Sequence, residues 1–401
     1  MNFFSKYTDD RHPDYKLLYI SSALFFVGLV FSYSLSIFTV DYFDYTQYHF
    51  FIRQLFSVVI AVFIMWSFAH IKPEILFTKW RVPGWIFLAF SLIMIAMPIL
   101  PQSWVTESGG ATRWIKLPGI SISPVEFFKI GFIFVISSFL YRKKIKLDKT
   151  TTIIEEVLAI LPTLIILGFF SIFIGVAQKD LGNTVLLTFI LLALYLFSDR
   201  SYKLILGILG SGVAGFFLLI AIAPHRIDRI RSWWGSVQDS VLSPFSETIR
   251  DAFHIEEFSE AYQVKNSIHA IYNGGWFGTG LGEGNLKLGF LGEVHTDFVL
   301  AGITEEIGIL GLIVLLTTVI YVIARIFRIA WGVDNELYHY FCVGVAIMIS
   351  FSFLINSYGI TGMIPIKGLA VPFLSYGGSS VIALGIAIGL VLSISKEVRN
   401  E

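Results

Sequence analysis

The sequence predicts an all-α integral membrane protein of ten transmembrane helices, with a large extracytoplasmic loop between helices 7 and 8. Three observations carry this expectation. Of 401 residues, 55% are hydrophobic and only 14% charged, against about a quarter charged in soluble domains. The apolar residues gather into ten runs near the ~20 residues that cross a bilayer. Lys and Arg divide unevenly between alternate connections, as they do in membrane proteins of fixed orientation.

The runs are 17–39, 51–68, 85–100, 127–141, 157–176, 181–197, 204–223, 298–323, 338–355 and 379–394. The first follows Lys6, Arg11 and Lys16, as a signal sequence would. It is too long for a signal peptide's apolar core and no small-residue cleavage site follows it, so it reads as a retained helix. Several others are short, and 181–197 is the weakest of them. With a cytoplasmic N-terminus, seventeen of the 29 Lys and Arg fall in inner segments, against six in the short outer ones and six in the long loop. Ten crossings then place both termini in the cytoplasm. One membrane domain covers 1–401, with no soluble domain of ordinary size.

The other connections are short, but the one at 224–296 is not, and loops of such length are usually functional or disordered. It carries Trp233, Trp234 and Trp276, an amphipathic stretch "SETIRDAFHIEEFSEAYQVKNSIHAI" and a glycine-rich run. One or two helices lying near the membrane surface are expected there. The 29 basic and 29 acidic side chains cancel, which gives no reason to expect a nucleic-acid partner. The single cysteine, Cys342, sits in an apolar run and reads as a packing residue.

The outer segments hold nearly all the unusual chemistry. Glu126 and Lys129 are spaced i, i+3 at the outer start of helix four. Such a pair shares a helix face and reads either as a structural salt bridge or as a pair that places a charged substrate. In "FLGEVHTDFVLAGITEEIGILG", Thr296 or Asp297 suits an N-cap. A cap accounts for one carboxylate; it leaves His295, Glu305 and Glu306 unexplained. "PFLSYGGSS" places Ser379 or Ser380 as a cap of helix ten, and the same helix start would attract an anion. "GTGLGEG" mimics a dinucleotide loop but lies outside, where it reads as a close-packed turn. Arg226, Arg229 and Arg231 suit either lipid headgroups or a pyrophosphate. No His/Cys cluster has zinc spacing, and a divalent cation held by carboxylates has no motif of its own. Together these groups suit a charged, lipid-linked substrate at the outer leaflet, without saying which lipid, or whether it is moved or reacted.

At these same residues the sequence resembles the SEDS family of bacterial cell-wall polymerases, which includes FtsW, RodA and SpoVE. The resemblance runs from helix one to helix ten. It is strongest in "RWIKL…SPVEFFK", "QKDLGNT", "NGGWFGTGLGEGNLKLGFLGEVHTDF" and "IPIKGLAVPFLSYGGSS". "GGWFGTGLG" and Lys367 bring it nearer the FtsW branch than RodA. The resemblance implies a peptidoglycan glycosyltransferase polymerising lipid II outside the cytoplasmic (inner) membrane, with septal synthesis favoured over elongation. It implies a class B penicillin-binding protein and other divisome membrane proteins as partners. Asp297 matches the essential acid of the HTDF motif. Glu126, Lys129, Asp180, Arg226 and Arg229 match further family positions. Ser123, Lys179, Gly292 and His225 depart from the usual residues, and the stretch between Trp234 and Tyr262 is longer than usual.

The resulting expectation makes Asp297 the general base. Arg113, Glu126, Lys129, Asp180, Arg226, Arg229, His295, Lys367, Ser375 and Ser379 would bind substrate. Arg113, Lys129, Lys367, Arg226 and Arg229 are the candidate cations for the leaving pyrophosphate. Two other classes stand beside the enzyme: a lipid II transporter and a scaffold for the penicillin-binding protein. A transporter should show polar groups near the midplane and discontinuous helices, and the sequence displays little of either.

Overall fold

The computed structural model describes the chain except residues 1–10, 102, 109–110, 118–119, 144–152, 199–200, 222–223, 256–258, 366–367 and 399–401. Helix α1 (Tyr15–Leu35) leads through a short α2 (Ile37–Tyr42) to α3 (His49–His70) and α4 (Val82–Ala96). Strands β1 (Val105–Ser108), β2 (Ala111–Leu117) and β3 (Ile120–Ile122) follow, then α5 (Pro124–Arg142), α6 (Ile153–Ile172), α7 (Leu181–Leu196) and α8 (Tyr202–Ala221). Next come α9 (Pro224–Leu242), α10 (Glu247–Phe253) and α11 (Ser259–Gly274). The chain ends with α12 (Val299–Gly332), α13 (Glu336–Ile360) and α14 (Gly378–Ile394).

The helical membrane class expected from composition is the one observed. Among the described residues nine helices are long and apolar enough to cross a bilayer, and Leu181–Leu196 is a shorter apolar helix. That short helix is the run the sequence supported least. Two features were not anticipated. An antiparallel sheet, in the order β1-β2-β3, precedes α5. The 224–296 segment holds three helices among its described residues rather than one or two, because a further helix, α9, begins at Pro224, a residue suited to a first helical turn.

Burial sorts the helices. In α14, 72% of the spanning stretch is buried, and in α8 only 17%, so α14 sits at the centre and α8 presents its sides to lipid. The α14–α3 contact is close because Gly385 faces Ala61; a methyl group there would lie 2.8 Å from the Ala61 Cα. Small residues let helix backbones approach in this way where lipid, not water, is the alternative neighbour.

Helix α12 is broken. Gly308 has φ 71° and ψ 179° inside it, a conformation confined to glycine. The break frees main-chain groups, and the preceding loop satisfies them. The amides of Thr279 and Gly280 donate to the carbonyls of Glu305 and Glu306 (2.9 and 3.0 Å). The amides of Ile309 and Leu310 donate to the carbonyls of Gly275 and Trp276 (2.9 and 3.2 Å). Irregular backbone is tolerated in a membrane protein on this condition. Beyond Gly308 the remaining helix is about 36 Å long at 1.5 Å per residue, enough to cross alone. A discontinuous helix is thus present where the sequence displayed little sign of one.

One end of the bundle gathers the end of α1, the starts of α3, α5, α12 and α14, and the loop before α14. The other end is tied by ion pairs. Asp14 caps α1 and pairs with Arg325 of α12 (2.7 Å), and Arg11 pairs with Glu397 (2.6 Å).

Candidate functional site

The turn carrying Asp297 is held by main-chain contacts. Glu293 has φ 53°, and its carbonyl accepts from the amides of Thr296 and Asp297 (3.0 and 3.1 Å). The Thr296 hydroxyl turns back onto the same carbonyl and onto the Glu293 carboxylate (3.0 Å each). The N-cap of α12 is Phe298, with no side-chain cap, so neither Thr296 nor Asp297 is the cap the sequence suggested. From α13, the Asn356 amide donates to the Asp297 carbonyl (2.8 Å) and to the Leu369 carbonyl (3.2 Å). The Asp297 carboxylate is half-buried and lies against Gly368, where a methyl group would come within 3.0 Å of Oδ2.

Ser375 fastens the opposite side. Its hydroxyl donates to the Thr296 carbonyl (2.7 Å) and accepts from the Val371 amide (2.8 Å). Gln54 of α3 then holds the Ser375 carbonyl (3.4 Å) and the Gly377 amide (3.1 Å). At 1% exposure, Ser375 clips the 368–377 loop to the Asp297 turn, and both hydrogen-bonding roles of its hydroxyl are engaged within the protein. Gly28 of α1 backs this loop: a methyl group there would sit 2.1 Å from the Phe373 carbonyl oxygen.

His295 is buried, with its ring against Phe50 (4.8 Å) and Tyr376 (5.5 Å). Its carbonyl accepts from the Tyr376 amide (2.8 Å), and its Nδ1 meets no hydrogen-bond partner among the described residues. Burial pushes its pKa below the ordinary imidazole range, and nearby Glu293 opposes this in part. The folded protein therefore resists protonation that the unfolded chain accepts. Stability is fully present above the ordinary histidine pKa and falls as pH drops from there toward the lowered folded value. The slope is at most about 1.4 kcal/mol per pH unit. In His295→Phe this contribution is absent, and thermal midpoints measured across the acidic range should decline less steeply.

Glu126 and Lys129 form the expected pair (2.9 Å) in the first turns of α5, with Lys129 the more buried. They line a half-open cleft of about 460 Å³, mouth included, together with Ser352, Ser375, Ser380 and the Ala370–Phe373 backbone segment. The 368–377 loop thus faces this cleft while Gly368 faces Asp297. Ser379 is not the cap of α14, which is Gly377. Its hydroxyl accepts from the Ser123 amide (2.9 Å), tying α14 to the start of α5.

Arg113 on β2 donates to the carbonyls of Gln178 and Lys179 (3.0 and 2.7 Å). Asp180 caps α7: it accepts from the Asn183 amide (3.0 Å) and from the Asn183 side chain (2.9 Å). Both residues therefore shape the turn before α7. Arg226 and Arg229 lie in the first turns of α9, with their side chains outside the described part, and Lys367 lies outside the described residues altogether. Among the described residues no three His, Cys, Asp or Glu side chains gather as a metal site would require.

Glu305 and Glu306 have roles that the sequence did not reveal. The Glu305 carboxylate accepts from the amides of Asn285 (3.0 Å) and Leu286 (3.2 Å). Glu306 pairs with Lys287 (2.6 Å) and accepts from the Ser34 hydroxyl of α1 (2.6 and 2.7 Å). Lys287 and Ser34 were not candidates. The available signal was two adjacent acids in an apolar run, one turn before a glycine, with a lysine in the glycine-rich stretch upstream.

The FtsW/RodA/SpoVE family, described as cell cycle protein, matches residues 15–400. The chain belongs to this family. A relative from Helicobacter pylori (strain ATCC 700392 / 26695), named probable peptidoglycan glycosyltransferase FtsW, is 44% identical over 390 residues, covering 96% of this chain and 99% of its own. Two solved structures share the fold. A chain of a peptidoglycan synthase complex superposes with a TM-score of 0.68 at 20% identity, covering 96% of this chain and 97% of that one. The rod shape determining protein RodA of Thermus thermophilus gives 0.63 at 20% identity, covering 97% and 98%. As a family member the protein is a multi-pass membrane protein, and the resemblance read from its motifs holds.

Proposed function

We propose that the protein is a peptidoglycan glycosyltransferase of the FtsW kind, polymerising lipid II for septal wall synthesis. The observation that carries the mechanism is the Asp297 turn: its backbone is clamped from α13 and from the 368–377 loop, which Gln54 of α3 holds in turn, while its carboxylate, which caps no helix, stays half-exposed. Such a carboxylate is positioned yet accessible, as a general base must be. Asp297 takes the proton from the 4-hydroxyl of the acceptor N-acetylglucosamine. That oxygen bonds to the donor's anomeric carbon, the carbon–phosphate-oxygen bond breaks, and undecaprenyl pyrophosphate leaves from the opposite face. The α linkage becomes β. Cations stabilise the leaving pyrophosphate. Lys129, held by Glu126 at the cleft, supports that role best among the described residues. Arg226, Arg229 and Lys367 are further candidates, and Arg113 and Asp180 serve by shaping the neighbouring turn.

The site end of the bundle faces the cell exterior in this reading, with both termini cytoplasmic and the whole chain acting as one membrane domain. The partner is a class B penicillin-binding protein, which supplies cross-linking, alongside other divisome membrane proteins. The broken α12 and its buried Lys287–Glu306 pair supply features a lipid II transporter would use. One experiment separates the two readings. Purified protein with its transpeptidase partner, given lipid II in detergent, should form glycan strands although there is no second compartment. Absence of any polymer there, together with lipid II movement across proteoliposomes, would establish the transporter instead.

A further inference from the structure

The side chains at the α12 break do more than fill space. Lys287 and Glu306 are 2% and 0% exposed. The Lys287 ammonium donates to the Glu306 carboxylate (2.6 Å) and the Gly282 carbonyl (2.7 Å), and it reaches the Ser34 hydroxyl (3.4 Å). Ser34 donates to both Glu306 oxygens. Glu305 meanwhile holds the amides of Asn285 and Leu286. Loop 275–287 is therefore bound to residues 304–310 through main chain and side chain together, and to α1 through Ser34. Fit is close as well: a methyl group on Gly278 would lie 2.2 Å from the Glu306 carbonyl oxygen.

We propose that Lys287, Glu306 and Ser34 are positioning residues, a lock that keeps the loop in the break and thereby fixes the segment 299–307, whose first residues continue the Asp297 turn. The inference rests on the reading of Asp297 as the base. Its physical basis is the helical screw. Without the loop, the carbonyls of Glu305 and Glu306 lose their acceptor roles in a poor solvent, and the segment must straighten or slip. A slip of one residue turns a helix by about 100° and moves it about 1.5 Å. A displacement of about 1 Å at the reacting group can cost about 10²-fold in rate. The lock does not touch substrate; it sets where the carboxylate points.

The pair also predicts an asymmetry. Removing one member leaves a buried charge without its partner, whereas removing both leaves a neutral pair of similar size. The test measures glycan polymerisation by the full chain with its transpeptidase partner in detergent, and amide hydrogen exchange of the same samples. Lys287→Met and Glu306→Gln should each lower kcat about 10- to 100-fold with KM changed less than about threefold. The amides of Thr279, Gly280, Ile309 and Leu310 should exchange at least about tenfold faster. The double variant K287M/E306Q should recover both quantities to within about fivefold of wild type. Single variants that keep kcat per folded molecule within about twofold of wild type overturn the proposal, whether or not exchange accelerates. Should the single variants not fold, Ser34→Ala decides: faster exchange at the four amides together with lowered kcat supports the lock, and wild-type exchange or wild-type kcat in that variant overturns it. An Asp297→Asn control at wild-type rate would remove the base assignment instead, and exchange would still judge whether the pair locks the loop.

Discussion

Asp297→Asn should lower lipid II polymerisation by about 10²- to 10⁴-fold, the usual contribution of a positioned general base, with the fold unchanged. The fold should survive because the clamp on this residue uses its backbone. Asn356 donates to the Asp297 carbonyl, the Asp297 amide donates to Glu293, and Ser375 acts one residue earlier on Thr296. An asparagine side chain fits the same space against Gly368 while lacking a basic oxygen. Asp297→Glu should also be slow, since one added methylene moves the carboxylate by more than the ~1 Å that such geometry tolerates. The measurement is kcat with thermal midpoints run alongside. A near wild-type rate in well-folded Asp297→Asn would remove the residue from the chemistry.

Gly308→Ala should be strongly damaging for so small a substitution. Its φ of 71° and ψ of 179° suit glycine alone, and an added methyl would lie 2.4 Å from the Gly278 nitrogen and 2.5 Å from the Trp276 carbonyl oxygen. Backbone strain and overpacking each cost about 1–3 kcal/mol, and the four hydrogen bonds across the break cannot all persist once the loop moves. A clear fall in thermal midpoint is expected, together with loss of polymerisation. Relaxation to a continuous helix would relieve the strain only by expelling the loop. A midpoint and activity equal to wild type would show that the break tolerates a side chain, and the account of α12 would need revision.

Much of the architecture was legible because lipid makes it so. A segment that crosses a bilayer must be apolar and long, which exposes it in the one-dimensional pattern. The least supported run, 181–197, is also the short helix Leu181–Leu196 in the structure. The polar groups of the site were legible too, since ionisable residues beside apolar runs stand out. Their partners were not. Asp180 and Asn183 are three apart and meet locally, but Ser34 and Glu306 are 272 residues apart, and Ser123 and Ser379 are 256 apart. No spacing rule reaches that far. The suggested caps failed for a related reason: Thr296 bonds back to Glu293 and Ser379 to the start of α5, contacts that depend on turn geometry and a neighbouring helix.

By itself, then, the sequence determined that the chain crosses a membrane repeatedly, which family's motifs it carries, and that Asp297 is the acid to examine. Only the tertiary structure decided that α12 is broken at Gly308, that Glu305 and Glu306 bind a loop, and that Arg113, Asp180, Ser375 and Ser379 spend polar atoms on the scaffold. The reason is that partition into lipid depends on the composition of one segment, whereas a buried hydrogen bond depends on two groups brought together by everything folded between them.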